Sequence, residues 1–143
     1  MKKLIGKKIT NIYINSEFLQ FKTNDGSVLS YRAYGDCCSE SVFYDFIGVK
    51  KLLENGPVVS IKEIELGIGT GEIKEKYQEN MNTAETIYGV EIVTEHPVFG
   101  KQTAVFSFRN YSNGYYGGMI LDDYPGENGV PEIFDDITEI ENP

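Results

Sequence analysis

The chain has few of the residues on which covalent cross-linking and nucleophilic catalysis depend. It contains no tryptophan, one histidine (His96) and two cysteines, Cys37 and Cys38, which are adjacent. Adjacent cysteines exclude a disulfide framework, because a bridge between neighbouring residues is strained and rare. A structural zinc ion takes four ligands, mostly cysteine and histidine, and only three such residues are present. The sequence therefore predicts no metal site.

Long apolar runs and an excess of basic charge are also missing. The apolar residues after the N-terminal lysines stop at Ile5, and no later stretch approaches the roughly 18 apolar residues of a membrane span. These absences predict a cytoplasmic protein without a membrane partner. No basic stripe is available to neutralise phosphates, so nucleic acid is not expected as a partner.

The acidic excess lies at the C-terminal end. The net charge is −9, and residues 121–143 hold eight acids and no base, whereas residues 1–120 hold 14 acids against 13 bases. We therefore expect a single α+β domain at 1–121 and an acidic segment at 122–143 that is either loosely packed or docked. Apolar residues at three- and four-residue spacing favour docking on the body or on a partner: Val130, Ile133, Phe134, Ile137 and Ile140.

Hydrophobic alternation predicts a mostly antiparallel sheet. The pattern indicates six or seven strands, at residues 9–14, 18–23, 27–34, 58–66, 84–94, 102–109 and 117–121. The first three form a meander whose second turn is Asn24-Asp25-Gly26. The last strand is expected to pair back through an Asn-Gly turn at 113–114. Residues 41–47 and 48–56 are predicted as one or two short helices after the third strand, which makes the fold class α+β.

The first of two glycine-rich motifs is Gly-Asp-Cys-Cys-Ser at 35–39, after the third predicted strand. A helix is expected to start behind it, where Asp36 or Ser39 would cap backbone N–H groups. Alternatively, the same N–H groups would hold an anion such as phosphate. The two thiols either pack the loop or, as a catalytic alternative, one is a nucleophile with His96 as its base.

The second motif runs from Arg109 to Gly118 and combines arginine, asparagine, tyrosine and glycine. Arginine pairs with phosphate, tyrosine stacks on a nucleobase or sugar, and asparagine adds polar readout. A protein-contact patch is an alternative, since tyrosine and arginine dominate interface hot spots. A structural hairpin with packed tyrosines is the other alternative.

Together the motifs resemble a known family. Gly-Asp-Cys-Cys-Ser at 35–39, Ile-Gly-Val-x-x-Leu-Leu at 47–53 and Asn-Tyr-Ser-Asn-Gly-Tyr-Tyr-Gly-Gly at 110–118 resemble small uncharacterised proteins of bacteria and their phages, a domain of unknown function. The resemblance covers residues 4–121. It implies a phage or prophage setting rather than an activity, and small accessory proteins of that kind counter host defence by binding.

These observations favour a non-enzymatic binding protein without a cofactor, holding a nucleotide-like signal. The expected ligand-binding residues are Asp36, Cys37, Cys38, Ser39, Arg109, Asn110, Tyr111, Asn113, Tyr115 and Tyr116. An inhibitor that binds a host defence protein through the tyrosine patch and the acidic segment is the second hypothesis. A cysteine-dependent hydrolase or transferase using Cys37 or Cys38 with His96 is the third. A closed homo-oligomer would suit a sequestering protein.

Overall fold

The chain folds into two antiparallel sheets in the computed structural model, which describes residues 1–35, 40–68, 84–112, 118–123 and 132–141. The strands of these residues are β1 (Ile9–Ile14), β2 (Phe18–Thr23), β3 (Val28–Gly35), β4 (Glu40–Ile47), β5 (Val58–Ile68), β6 (Ala84–His96), β7 (Gly100–Ser112), β8 (Gly118–Asp123) and β9 (Thr138–Ile140). One helix, α1 (Val49–Glu54), and a 3-10 turn, Lys2–Leu4, complete the described elements. The fold is therefore predominantly β, as the alternation predicted.

Each sheet contains strands from distant parts of the sequence. The five-stranded sheet has the order β8-β3-β2-β1-β9, and the four-stranded sheet has the order β4-β7-β6-β5. The predicted meander of β1, β2 and β3 is confirmed. Within the described part of the chain, no helix has the length and apolarity needed to cross a bilayer.

Aromatic rings fill the space between the sheets. Phe21 of the five-stranded sheet meets Phe46 of the four-stranded sheet, with ring centroids 6.4 Å apart. Phe106 packs on Phe46 at 5.2 Å and is fully buried, as Phe21 is. Each such ring contributes roughly 2–3 kcal/mol by leaving water. α1 packs against β1, β6 and β7 and adds Val49 and Leu52 to this core.

The predicted turn between β2 and β3 is confirmed. Gly26 has a φ of +84°, which glycine adopts without strain. The carboxylate of Asp25 accepts hydrogen bonds from the Lys7 ammonium at 2.6 Å and from the Ser27 N–H at 3.0 Å. The Lys7 ammonium, with the neighbouring donors, holds the pKa of Asp25 well below its usual range.

Residues 41–47 belong to strand β4, so the prediction of a helix there is wrong. Phe43 and Phe46 are three residues apart, a spacing that imitates one face of a helix. The register of β4 against β7 shifts between these two residues, which marks a β-bulge. The bulge turns both rings toward the core, where they are buried. The helix predicted at 48–56 is present as α1.

Residues 132–141 pack on the five-stranded sheet. The fully buried side-chain amide of Gln20 donates from Nε2 to the Glu132 carbonyl at 2.9 Å, and its Oε1 accepts the Phe134 N–H at 3.0 Å. Further along, β9 pairs antiparallel with β1. The apolar residues of this segment are half-buried: Ile133, Phe134, Ile137 and Ile140. Val130 lies outside the described residues.

A buried phenol at the core makes one prediction about stability. Tyr31 is almost fully buried, and its hydroxyl has no hydrogen-bond partner among the described residues. Burial, with the charge of its cross-strand neighbour Asp122, raises the pKa of Tyr31. We expect Tyr31→Phe to raise the free energy of unfolding by about 1 kcal/mol near neutral pH, because it removes an unpaired buried group.

Tyr31→Phe should also change how the free energy of unfolding depends on pH above about pH 10. Above about pH 10 the unfolded tyrosine ionises while the folded one keeps its proton, so stability falls by up to about 1.4 kcal/mol per pH unit. Tyr31→Phe lacks this contribution and should lose less stability at alkaline pH. Urea denaturation of both proteins at neutral pH and near pH 11 measures the difference. Equal losses at alkaline pH would show that the pKa of Tyr31 is not raised in the folded protein, and a destabilised variant at neutral pH would show that the hydroxyl is hydrogen-bonded.

Candidate functional site

The two glycine-rich motifs lie where the chain crosses between the sheets. Residues 36–39 connect β3 to β4, and residues 113–117 connect β7 to β8. Gly35, just before the first connection, pairs with Gly118, just after the second. Glu40, just after the first connection, pairs with Tyr111, close to the start of the second. Paired strand residues are about 5 Å apart, so the structure brings the ends of both motifs together. We call this region the junction and define it as Gly35, Glu40, Ser41, Tyr44, Arg109, Asn110, Tyr111 and Gly118.

Of the ligand-binding residues expected from the sequence, Arg109, Asn110 and Tyr111 lie on β7 within the junction. The others fall outside the described residues: Asp36, Cys37, Cys38, Ser39, Asn113, Tyr115 and Tyr116.

Two local predictions around these motifs are wrong. β8 does not pair back onto β7, because Gly118 to Asp123 pair with β3 in the other sheet. The second motif therefore belongs to a crossing between sheets. No helix starts directly behind residues 36–39 either, because Glu40 begins a strand that pairs with β7. α1 begins only after Gly48, so it offers no N–H groups to the first motif.

Asn110 links β7 to β4 inside the molecule. Its fully buried side chain donates from Nδ2 to the Ser41 hydroxyl at 2.9 Å. A Cβ atom added to Gly118 would meet that hydroxyl and would also lie 3.1 Å from Asn110 Nδ2. Glycine at 118 therefore permits the close approach of β8 to β4. The Asn110 amide, which the sequence suggested as a ligand contact, thus hydrogen-bonds across to β4 at the crossing.

Arg109 and Tyr44 form a stacked pair on the face of the four-stranded sheet that points away from the core. The guanidinium carbon of Arg109 lies 4.4 Å from the centroid of the Tyr44 ring. Arg109 is only 6% exposed, whereas Tyr44 is 42% exposed. A cation over an aromatic ring is stabilised by the negative face of the ring. Solvent therefore reaches this pair mainly through Tyr44, while Arg109 supplies charge from below the surface.

Sequence reasoning missed Tyr44, because the residue lay in a stretch assigned to a helix. Alternation around Val42 and Tyr44 could have indicated a strand, but the bulge after Phe43 interrupts it. Tyr111, by contrast, was expected to present its ring to a ligand and is buried. The accessible aromatic group of the described junction is therefore one that the motif analysis did not select.

Exposed apolar residues flank the junction on the five-stranded sheet. Tyr34 and Met119 are paired across β3 and β8 and are 39% and 45% exposed. The guanidinium carbon of Arg32 lies 5.8 Å from the Tyr34 ring. Tyrosine, methionine and arginine are enriched in protein interfaces. Tyr34 and Tyr44 thus offer accessible rings on strands β3 and β4, which lead into and out of the first motif.

His96 lies far from the junction. It pairs with Gly100 at one end of β7, while Asn110 lies near the other end, roughly 30 Å away at the rise of a β-strand. The four residues 36–39 span at most about 14 Å from their anchored ends. The imidazole Nδ1 accepts the N–H groups of Val98 and Phe99, each at 3.0 Å. His96 thus caps a turn, and this geometry gives a thiol–imidazole pair no support.

Outside the junction, the described residues form few candidate sites for a metal or a ligand. No group of three or more histidine, cysteine, aspartate or glutamate side chains that could hold a metal occurs among the described residues. An open cleft of about 410 Å³ lies away from the junction, between β1, α1 and β9, and carries Lys50 opposite Glu139. The junction is therefore the candidate site in which sequence motifs and structure coincide.

Comparison with known proteins gives one result. A family model described as "Domain of unknown function (DUF7448)" matches residues 2–121, a range that includes both motifs. No curated protein and no solved structure matches the chain.

Proposed function

Since the chain belongs to the DUF7448 family, whose function is not defined, we propose from the junction that it is a non-enzymatic protein binding a nucleotide-like ligand. One observation carries the proposal: Gly35 pairs with Gly118 and Glu40 pairs with Tyr111. Two motifs that are rich in glycine and hydrogen-bonding side chains thus start and end beside each other. Loops of this kind on a rigid scaffold are the usual location of binding sites.

The described side chains at the junction suit a ligand with a flat ring and negative charge. Tyr44 presents nearly half of its surface and can stack on a base, and the Arg109 guanidinium behind it adds positive potential. Tyr34 provides another accessible ring near the start of the first motif. Nucleotides combine these two properties. The motifs themselves would add backbone donors from residues 36–39 and asparagine readout from residue 113.

We further propose that binding serves phage or prophage counter-defence by sequestering a nucleotide immune signal. Two things support this role: the motifs resemble those of small accessory proteins of bacteria and phages, and His96 lies too far away to activate the thiols. Sequestration requires binding without turnover. A protein that binds the signal and returns it intact on denaturation would satisfy the proposal.

Tyr44→Ala should weaken nucleotide binding by about tenfold or more, because stacking of one base on one aromatic ring is worth roughly 1–3 kcal/mol. The melting temperature should fall by no more than the loss of the packing between Tyr44 and Arg109 requires, since Tyr44 is 42% exposed. Titration calorimetry with a panel of linear and cyclic mono-, di- and trinucleotides measures the effect. Phe99→Ala is the matched control, because Phe99 is 75% exposed in the turn at the far end of β7.

The outcomes of this titration separate the hypotheses. Selective loss in Tyr44→Ala, with Phe99→Ala like the wild type, supports a nucleotide site at the junction. Equal affinity in both variants would place any nucleotide elsewhere. Absence of binding across the panel would contradict the proposal.

An inhibitor of a host defence protein is the second candidate, favoured by the exposed Tyr34–Met119 pair beside Arg32. Under this hypothesis Tyr34→Ala should abolish phage protection in a defended host without changing any nucleotide affinity. Loss of protection in Tyr44→Ala alone would instead favour the nucleotide site.

A further inference from the structure

Residues 132–141, which we call the strap, cross the outer face of the five-stranded sheet and then join its edge. Phe18, Gln20, Ser30 and the edge of β1 hold the strap, and we call this surface the docking site. We propose that the docking site binds an extended segment of a partner protein, and that the strap occupies it in cis until the partner displaces it.

The docking site binds the main chain of the strap. Gln20 Nε2 donates to the Glu132 carbonyl, and Gln20 Oε1 accepts the N–H of Phe134, two residues further on. The Ser30 hydroxyl accepts a second hydrogen bond from Nε2 at 3.2 Å and fixes the amide. The side chain of Gln20 thus offers a peptide the same donor and acceptor that a neighbouring strand would offer. Any extended segment can satisfy these bonds, whatever its side chains.

Side-chain selectivity comes from one aromatic contact and one strand. The Phe134 ring packs edge-on against Phe18, with centroids 4.8 Å apart and planes at 64°. Four residues later the segment pairs with β1, where Thr138 and Ile140 lie opposite Ile14 and Ile12. The occupant that fits is therefore an extended segment with an aromatic residue, a short turn and a β-branched strand. This is recognition by strand addition with one side-chain anchor.

Ion pairs contribute little to this recognition. The ion pairs among the described residues, Lys3 with Asp122 and Lys7 with Asp25, both lie outside the strap. Asp135 and Asp136 are exposed, and Glu139 accepts a hydrogen bond from the Asn11 amide at 2.7 Å. Because residues 132–141 carry five acids and no base and the protein has a net charge of −9, raising the salt concentration should screen repulsion and strengthen the binding of a segment like the strap.

The strap is built to separate from the sheet. It lies beyond residue 121, where the match to the family ends, and its apolar side chains are only half-buried. The strap is held by three ladder positions, one buried amide, the Phe134 ring on Phe18, the Asn11–Glu139 hydrogen bond and the packing of Ile140 on the core. A peripheral segment of this size opens at a lower free energy than the whole fold. In cis, however, a short connection gives it an effective concentration in the millimolar range. A competing segment is thus excluded from the wild type until the strap weakens or a tighter partner arrives.

The test uses a labelled peptide with the sequence of residues 130–142 and the full-length protein, read by fluorescence anisotropy. Phe134→Ala in the protein should increase peptide affinity by about tenfold over the wild type, because its own strap then competes less. The same substitution in the peptide should decrease affinity by a similar factor. Phe99→Ala protein should behave as the wild type, and raising the salt concentration should increase the affinities of all variants alike.

Hydrogen exchange of the Phe134 amide and of β9 decides between the remaining outcomes. Faster exchange in Phe134→Ala without peptide binding would show an open site that accepts no segment, and would overturn the proposal. Unchanged exchange at the rate of the core, again without binding, would show that the strap is an integral strand, and would overturn it too. If Phe134→Ala fails to fold, a full-length chain with a specific protease site in 124–131 answers the question. After cleavage the labelled peptide replaces the strap if the proposal holds.

Discussion

Gly118→Val should lower the free energy of unfolding by about 3 kcal/mol and disrupt the junction. A Cβ atom at this position meets the Ser41 hydroxyl and lies 3.1 Å from both Cβ and Nδ2 of Asn110. Asn110 cannot retreat, because it is fully buried and hydrogen-bonded to Ser41. Valine adds two methyl groups to this clash. Urea denaturation measures the loss, and the nucleotide titration reports whether the binding surface survives.

A double variant at Gly118 and Ser41 separates the clash between the new Cβ atom and the Ser41 hydroxyl from other effects of a side chain on β8. Gly118→Ala alone should cost about 1–3 kcal/mol. Ser41→Ala removes the atom that the new Cβ would meet first, so the double variant should be more stable than the sum of the two single changes predicts. Strict additivity, or a Gly118→Val protein of wild-type stability, would mean that β8 and β4 do not approach closely.

Arg109→Ala should reduce both nucleotide binding and stability. Arg109 is only 6% exposed and packs on Tyr44, so truncation removes packing as well as charge, at a cost of about 2 kcal/mol. Loss of the positive charge behind Tyr44 should also weaken binding of a phosphate-bearing ligand. The sequence suggested only a phosphate contact for Arg109, and its burial adds the expected loss of stability.

Comparison with Arg109→Lys and Tyr44→Ala separates the two effects. Lysine keeps the charge but loses the planar stack, so Arg109→Lys should retain more binding than Arg109→Ala. Tyr44→Ala should lose binding with a smaller loss of stability than Arg109→Ala, since Tyr44 is 42% exposed but still covers Arg109. Denaturation and calorimetry on the same samples give both quantities. An Arg109→Ala protein with wild-type affinity would remove Arg109 from the proposed site.

Strand positions could be predicted because alternation is a local property of the sequence. β1 and β2 match the predicted ranges to the residue, and the turn at Gly26 follows from local backbone preference. Strand β4 could not be predicted in this way, because the bulge between Phe43 and Phe46 changes the period within a single strand. A pattern broken by one inserted residue resembles a helix until its partner strand is known.

Strand partners depend on packing between distant segments, which local patterns do not report. An Asn-Gly pair favours a hairpin, yet β8 pairs with β3, where Ile120 lies opposite Ala33. For the site, the motifs did not indicate whether their ends meet, and the pairing of Ser41 with Asn110 brings them together only in the fold. The motifs could not indicate burial either, so neither the burial of Arg109 nor the exposure of Tyr44 was foreseen. Exposure is a property of the assembled sheets.

The crossing between the sheets also affects when the protein becomes functional during synthesis. The hairpin of β6 and β7 joins residues that are close in sequence. Gly35, in contrast, can pair only after Gly118 has been synthesised. Distant contacts carry a larger loop-closure cost and form later. On the ribosome, β3 and β4 would emerge long before β8, so a nascent chain has no complete junction until translation has passed β8. We therefore expect a translation product truncated before β8 to lack the pairing of Gly35 with Gly118, and so to leave the junction incomplete.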